Sequence, residues 1–190
     1  MKKRLISLAI IGWLLPSFAS AEGLLSYTPP KVGTLKDSVG GGTRSLEIPK
    51  IQVLAPKEVA LTNQVQPVLY WYSLESGSKE VEVILIENGS SKPLLEKKIS
   101  ATQGLKNIAL ADYGVFLQQG KKYQWSVSAL NTSDSTSASI IYQIPAISLS
   151  TVKQKAENGY WYDALQQLVE NRSPLANELV KQIGFQTPIF

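Results

Sequence analysis

Apolar and polar positions divide this chain into three regimes. From residue 46 to 145 they alternate with a period of two, the signature of half-buried strands. The stretch "KEVEVILIE" (Lys79–Glu87) sends Val81, Val83 and Leu85 to one side and Glu80 and Glu82 to the other. In "KKYQWSVSAL" (residues 121–130), Tyr123, Trp125, Val127 and Ala129 face inward, and Gln124, Ser126 and Ser128 face outward. "PVLYWYSL" (residues 67–74) sets Val68, Tyr70 and Tyr72 against Leu69, Trp71 and Ser73. Four further runs, "IQVLAP" (51–56), "LLEKKIS" (94–100), "LKNIAL" (105–110) and "SASIIYQI" (137–144), bring the expected strands to about seven, and Asn88-Gly89 marks a tight turn. About seven short strands is the count of an immunoglobulin or fibronectin III-like β-sandwich, with Trp71 as its core tryptophan. In "LQQGKKYQW", Gly120 turns the chain between Leu117 and Tyr123, so the Tyr123 phenol is expected to bond back to nearby backbone as a tyrosine corner.

After residue 146 the period lengthens to that of a helix. Ser150 is the expected cap of a first helix beginning at Thr151, with Val152 and Ala156 on its buried side, and Asn158-Gly159 is its stop. A second helix over residues 160–172 carries Trp161, Ala164, Leu165 and Leu168 on one stripe. Ser173-Pro174 opens a third, with Leu175, Leu179, Val180 and Ile183 inside and Gly184 at its end. Gly159, Trp161 and Ala164 are spaced like the glycine, aromatic and alanine of a tetratricopeptide hairpin. One such unit cannot bury its own apolar face, so the tail is expected to pack on the sandwich or on a partner. Residues 22–45, with Pro29-Pro30 and Gly40-Gly41-Gly42, read as an extended arm. The expected organisation is a leader (1–21), an arm (22–45), a β-sandwich (46–146) and a helical appendage (147–190).

The first residues change the charge argument. "MKKRLISLAIIGWLLPSFASA" has a basic start, an apolar run too short to span a bilayer, and a small-residue cleavage site at Ala21. It reads as a secretory leader, so the expected location is periplasmic or secreted, with no stable membrane span after its removal. Of 19 basic residues three leave with it, so 16 face 15 acidic ones. A balance near neutrality offers no support for nucleic-acid binding. The chain has no cysteine, so no disulfide can reinforce it, and no histidine, the usual general base near neutral pH.

Few chemistries survive. "SVGGGTRS" lacks the Lys-Ser/Thr pair of a phosphate loop and leads towards a strand, so it reads as a joint fixed by Arg44 through its guanidinium. Two S-x-x-K matches, Ser76/Lys79 and Ser150/Lys153, are as many as this composition gives by chance. Glu80 and Glu82 share a solvated strand face, and "NTSDSTS" lacks the repeated ligands of a calcium loop. No catalytic residue, metal site or cofactor is expected. The aromatic triplets at 70–72 and 160–162 suit a core better than a sugar platform, although Tyr160 and Tyr162 flank a turn and are expected to present phenols outward.

Six segments, "YTPPKVGT", "GGGTR", "LAP", "PVLYWY", "GKKYQWSVS" and "AENGYWYDAL", together resemble the domain of unknown function family 928, found in exported bacterial proteins. The resemblance implies that "GGGTR" and "NGYWYDAL" matter together, and it carries no known catalytic role. Two cysteines common in the family are missing here, which removes an implied tie between arm and sandwich. The family's frequent neighbourhood of sensor and secretion genes implies an accessory role. The expected function is therefore a non-catalytic, protein-binding module whose partner is another envelope protein. Its binding residues are expected to be Arg44, Tyr160, Trp161 and Tyr162, near a groove between tail and sandwich. A carbohydrate-binding module with a glycan ligand is the alternative.

Overall fold

A computed structural model describes residues 25–32, 50–77, 79–130 and 134–190. The leader, the "GGGTR" segment and Arg44 lie outside the described residues. Over the described residues the chain is mainly β, with two sheets and three C-terminal helices. One sheet has the order β1 (Ile51–Val53), β3 (Val68–Ser73), β6 (Gly104–Ala109). The other runs β2 (Ala60–Thr62), β8 (Ser135–Tyr142), β7 (Lys122–Ala129), β4 (Lys79–Glu87), β5 (Pro93–Ala101). All seven expected strands are present, within a few residues of the expected bounds. The eighth, β2, is a departure. Its three residues are all buried, so no alternation marks them, and β2 pairs parallel to β8, far away in sequence.

The period-two patterns translate directly into layers. Val81, Val83 and Leu85 of β4 lie opposite Ala129, Val127 and Trp125 of β7, all buried. Across from them, Val53 and Trp71 pair in register, and Leu69 pairs with Ile108. The Val53 N–H donates to Thr136 Oγ1 on β8, so this side of the small sheet faces the large one. At the expected corner, the Gln118 N–H donates to Tyr123 Oη at 2.8 Å. The exposed edge strand β5 carries Lys97 on the same face as buried Val83, with its ammonium 5.3 Å from the Tyr113 ring centroid. A lysine on an edge strand makes that edge a poor template for another strand.

The tail comprises α1 (Val152–Glu157), α2 (Trp161–Glu170) and α3 (Leu175–Lys181). The first cap is one residue later than expected. Thr151, not Ser150, accepts from the Gln154 N–H, and the Gln154 side chain reaches back to the Thr151 N–H. This reciprocal pair satisfies two helix-end donors, which a lone serine cannot do. The tail shares the sandwich core: Leu69, Trp71, Trp125, Trp161, Tyr162, Leu165 and Leu179 belong to one continuous apolar cluster. The side of β3 turned away from the large sheet carries Tyr72, whose ring lies 5.1 Å from that of Phe185 in the tail. Burial under α2 and the nearby Glu170 carboxylate push the Tyr70 phenol up to about 12. Among the described residues, no helix is long and apolar enough to cross a membrane.

Candidate functional site

The segment "NGYWYD" (residues 158–163) is where the other parts of the molecule meet. Asn158 ends α1 and Gly159 takes φ +84°, a left-handed turn that redirects the chain into α2. That turn also sits against the arm. A Cβ at residue 159 would lie 2.9 Å from Pro30 Cδ, so only glycine lets the arm approach this closely. The Gly159 carbonyl accepts from the Leu61 N–H at 2.9 Å, which ties the turn to β2.

The three aromatics that follow each hold a different element. Tyr160, 5% exposed, joins Leu61 and Leu149 in a small separate apolar cluster. Trp161 is fully buried, and its indole N–H donates to the Leu54 carbonyl at 2.8 Å. The Tyr27 ring meets Trp161 edge-on, with centroids 4.9 Å apart and planes at 80°. Tyr162 reaches the sandwich interior, where its hydroxyl accepts from the Trp125 indole N–H at 3.0 Å and donates to the Ser139 carbonyl at 3.2 Å. The expectation that Tyr160 and Tyr162 turn their phenols outward fails. Their flanking of a turn suggests exposure, but the turn itself is clamped between arm and β2. The groove expected beside Trp161 is filled by the chain's own Tyr27. Tyr70, Tyr160 and Trp161 are buried, and Tyr72 is half-buried.

Asp163 completes the segment, and the sequence did not single it out. It is 1% exposed, and its carboxylate accepts from the Asn63 N–H through both oxygens, at 3.0 and 3.2 Å. The only sequence signal is its place in the first turn of α2, where a helix favours negative charge. Burial pushes its carboxyl up to about 6, against the opposing pull of the Asn63 and Thr62 hydrogen bonds and the Lys155 ammonium. A raised carboxyl in a cleft is a mark of a catalytic acid. Its two hydrogen bonds tie α2 to the loop after β2. The cleft next to the arm is walled by Tyr27, Pro29, Pro56, Lys57, Glu58, Gln182 and Ile183, and Asp163 is not among them.

The shift has a measurable consequence. Because the folded state holds the proton more tightly than the unfolded chain, this group's stabilisation is complete below about pH 4 and fades as pH rises through 6. A change of about two units corresponds to roughly 3 kcal/mol at most. Urea titrations of wild type and Asp163→Asn between pH 4 and 7 should therefore show the wild type losing stability relative to the variant by up to that amount. Parallel curves would contradict the assignment.

The arm is held by backbone as well as by rings. The Thr28 N–H donates to the Ala156 carbonyl at 3.1 Å. The Gln182 amide reads the arm on both sides of Ser26: the Tyr27 N–H donates to Oε1 and Nε2 donates to the Leu25 carbonyl, each at 2.8 Å. Thus the "YTPP", "LAP", "YQW" and "NGYWYD" segments converge on one place through Tyr27, Leu54, Trp125 and Trp161. No curated protein matches the chain. Residues 39–184 match the family described as Domain of Unknown Function (DUF928), and this span, most of the chain, holds the eight strands and three helices of the described residues. The chain belongs to the DUF928 family.

Proposed function

We propose that the chain is an exported, non-catalytic interaction module that binds another envelope protein as an accessory of a sensor or envelope assembly. In this reading its body is a fibronectin III-like sandwich with a tetratricopeptide-like hairpin, released from its leader after Ala21. The tyrosine-corner bond at Tyr123 supports the first comparison, and the Gly159, Trp161, Ala164 spacing supports the second. The near-neutral mature charge favours a protein partner over a nucleic acid.

The observation that carries the binding role is an apolar rim at one end of the sandwich. Phe116 is 62% exposed, Ile147 62% and Ile144 54%, with Val65 at 39%. Backbone hydrogen bonds tie their loops together: the Leu117 N–H donates to the Val65 carbonyl, and the Gln143 N–H to the Thr62 carbonyl. Exposed large apolar groups gathered on neighbouring loops are a feature of protein-binding surfaces. A photo-crosslinking residue at position 116 should trap one defined envelope protein in cells, and Ile144→Asp should reduce that product at least tenfold with an unchanged circular dichroism spectrum. Equal trapping from position 137, on the polar outer face, would defeat this reading.

A further inference from the structure

The tripeptide Glu-Asn-Gly occurs twice in the chain, at residues 87–89 and 157–159. Asn-Gly is open to backbone attack on the asparagine side chain, because glycine has no Cβ to shield its own N–H. The two copies share a local sequence and have opposite settings. The first forms the turn between β4 and β5, where Asn88 and Gly89 are both exposed and a Cβ at residue 89 would meet nothing within 4 Å. Among the described residues, neither the Gly89 N–H nor the Asn88 side-chain amide has a hydrogen-bond partner. The second copy ends α1. There the Gly159 N–H donates to the Ala156 carbonyl at 3.2 Å, and Asn158 Nδ2 donates to the Gln154 carbonyl at 2.8 Å. Gly159 itself is buried, with Pro30 against it.

We infer that Asn88 is a site of spontaneous covalent modification, and that the fold spares Asn158. The Gly89 nitrogen loses its proton and attacks Cγ of Asn88. The new C–N bond closes a succinimide ring, and the Cγ–Nδ2 bond breaks, releasing ammonia that carries off the proton. Water then opens the ring at either carbonyl and leaves aspartate or isoaspartate. The sum is asparagine plus water giving a carboxylate side chain plus ammonium, with no oxidant or reductant. The product places a new negative charge next to Glu87, whose carboxylate already pairs with the Lys121 ammonium at 2.8 Å. Isoaspartate also lengthens the backbone of the turn. The Asn88 N–H donates to the Lys122 carbonyl at 2.9 Å, so the change reaches the start of β7. At Gly159 the same attack requires losing the Pro30 contact and both hydrogen bonds, and such local opening is rare in a packed turn. The inference does not depend on the binding role of the rim around Phe116.

The test holds the purified full chain in warm, mildly alkaline buffer, where loss of the Gly89 proton is faster. Peptide mass mapping with isoaspartate detection then follows residues 88 and 158. Modification at Asn88 should exceed that at Asn158 by about tenfold or more. An acidic form should grow on ion exchange at the same rate, and Asn88→Ser should remove most of it. In guanidinium chloride the two sites should react at similar rates, because the tripeptide is the same and only the fold separates them. Equal rates in the folded chain would overturn the inference. A preference of the same size in guanidinium chloride would do so too, since the fold would then not be its cause. So would an Asn88 that stays intact in the folded chain and reacts in the unfolded one, because the β4–β5 turn would then hold it out of reach.

Discussion

Removing residues 148–190 should leave a sandwich that collects in the insoluble fraction or binds hydrophobic dyes without a cooperative melt. The deletion takes away Trp161, Tyr162, Leu165, Leu168, Leu179 and Phe185, all of them in the shared core. Each fully buried side chain of this size contributes about 1.5–3 kcal/mol by leaving water, and six of them approach or exceed the ~5–15 kcal/mol that holds a typical domain together. The loss is not only apolar. The Trp125 indole N–H and the Leu54 carbonyl would lose the partners they have in the tail, and the Leu61 N–H would lose the Gly159 carbonyl. Buried donors and acceptors stripped in this way each cost about 1–3 kcal/mol. Solubility, dye binding and near-ultraviolet dichroism of the truncated chain check the prediction. A soluble product melting within about 5 °C of the full chain would show that the tail contributes little to the core.

The largest effect expected from a single residue is at position 161. Trp161→Ala should cost about 3–5 kcal/mol, because it leaves a large cavity where arm, tail and the loop after β1 meet. Trp161→Phe should cost less, keeping most of the volume while depriving the Leu54 carbonyl of its donor. Combining Trp161→Ala with Tyr27→Ala gives a double-mutant cycle. An edge-on ring pair should show a coupling of about 0.5–1.5 kcal/mol. Urea unfolding of the four chains measures it. A cost below about 1 kcal/mol for Trp161→Ala would mean that the site relaxes around the loss and does not act as the hub described here.

These effects depend on different parts of the fold, and those parts are not equally legible in the sequence. Where one face of an element meets water, as in β4 and β7, alternation shows which residues point inward. Where an element is buried all round, as in Ala60–Thr62, nothing alternates and nothing marks the strand. The helix stripe of α2 correctly puts Trp161 in the core, but a stripe says nothing about depth. Tyr162 and Tyr160 therefore lie deeper than their place beside a turn suggests. Their neighbours in space, Trp125 and Leu61, lie far away along the chain, and no local pattern links them. Asp163 is hidden from the sequence for a related reason. A carboxylate in a first helical turn is ordinary at a surface, and only the packing of the loop after β2 makes it a buried fastener. Resemblance to a family assembles the right segments in order without showing that they touch.

Tyr27 and Gln182 are 155 positions apart, yet they are bonded directly. Closing so long a loop is slow, and the bond cannot form until almost the whole chain is available. In the exported chain proposed above, the last step of maturation is therefore postponed until the C-terminal helices have emerged on the far side of the membrane.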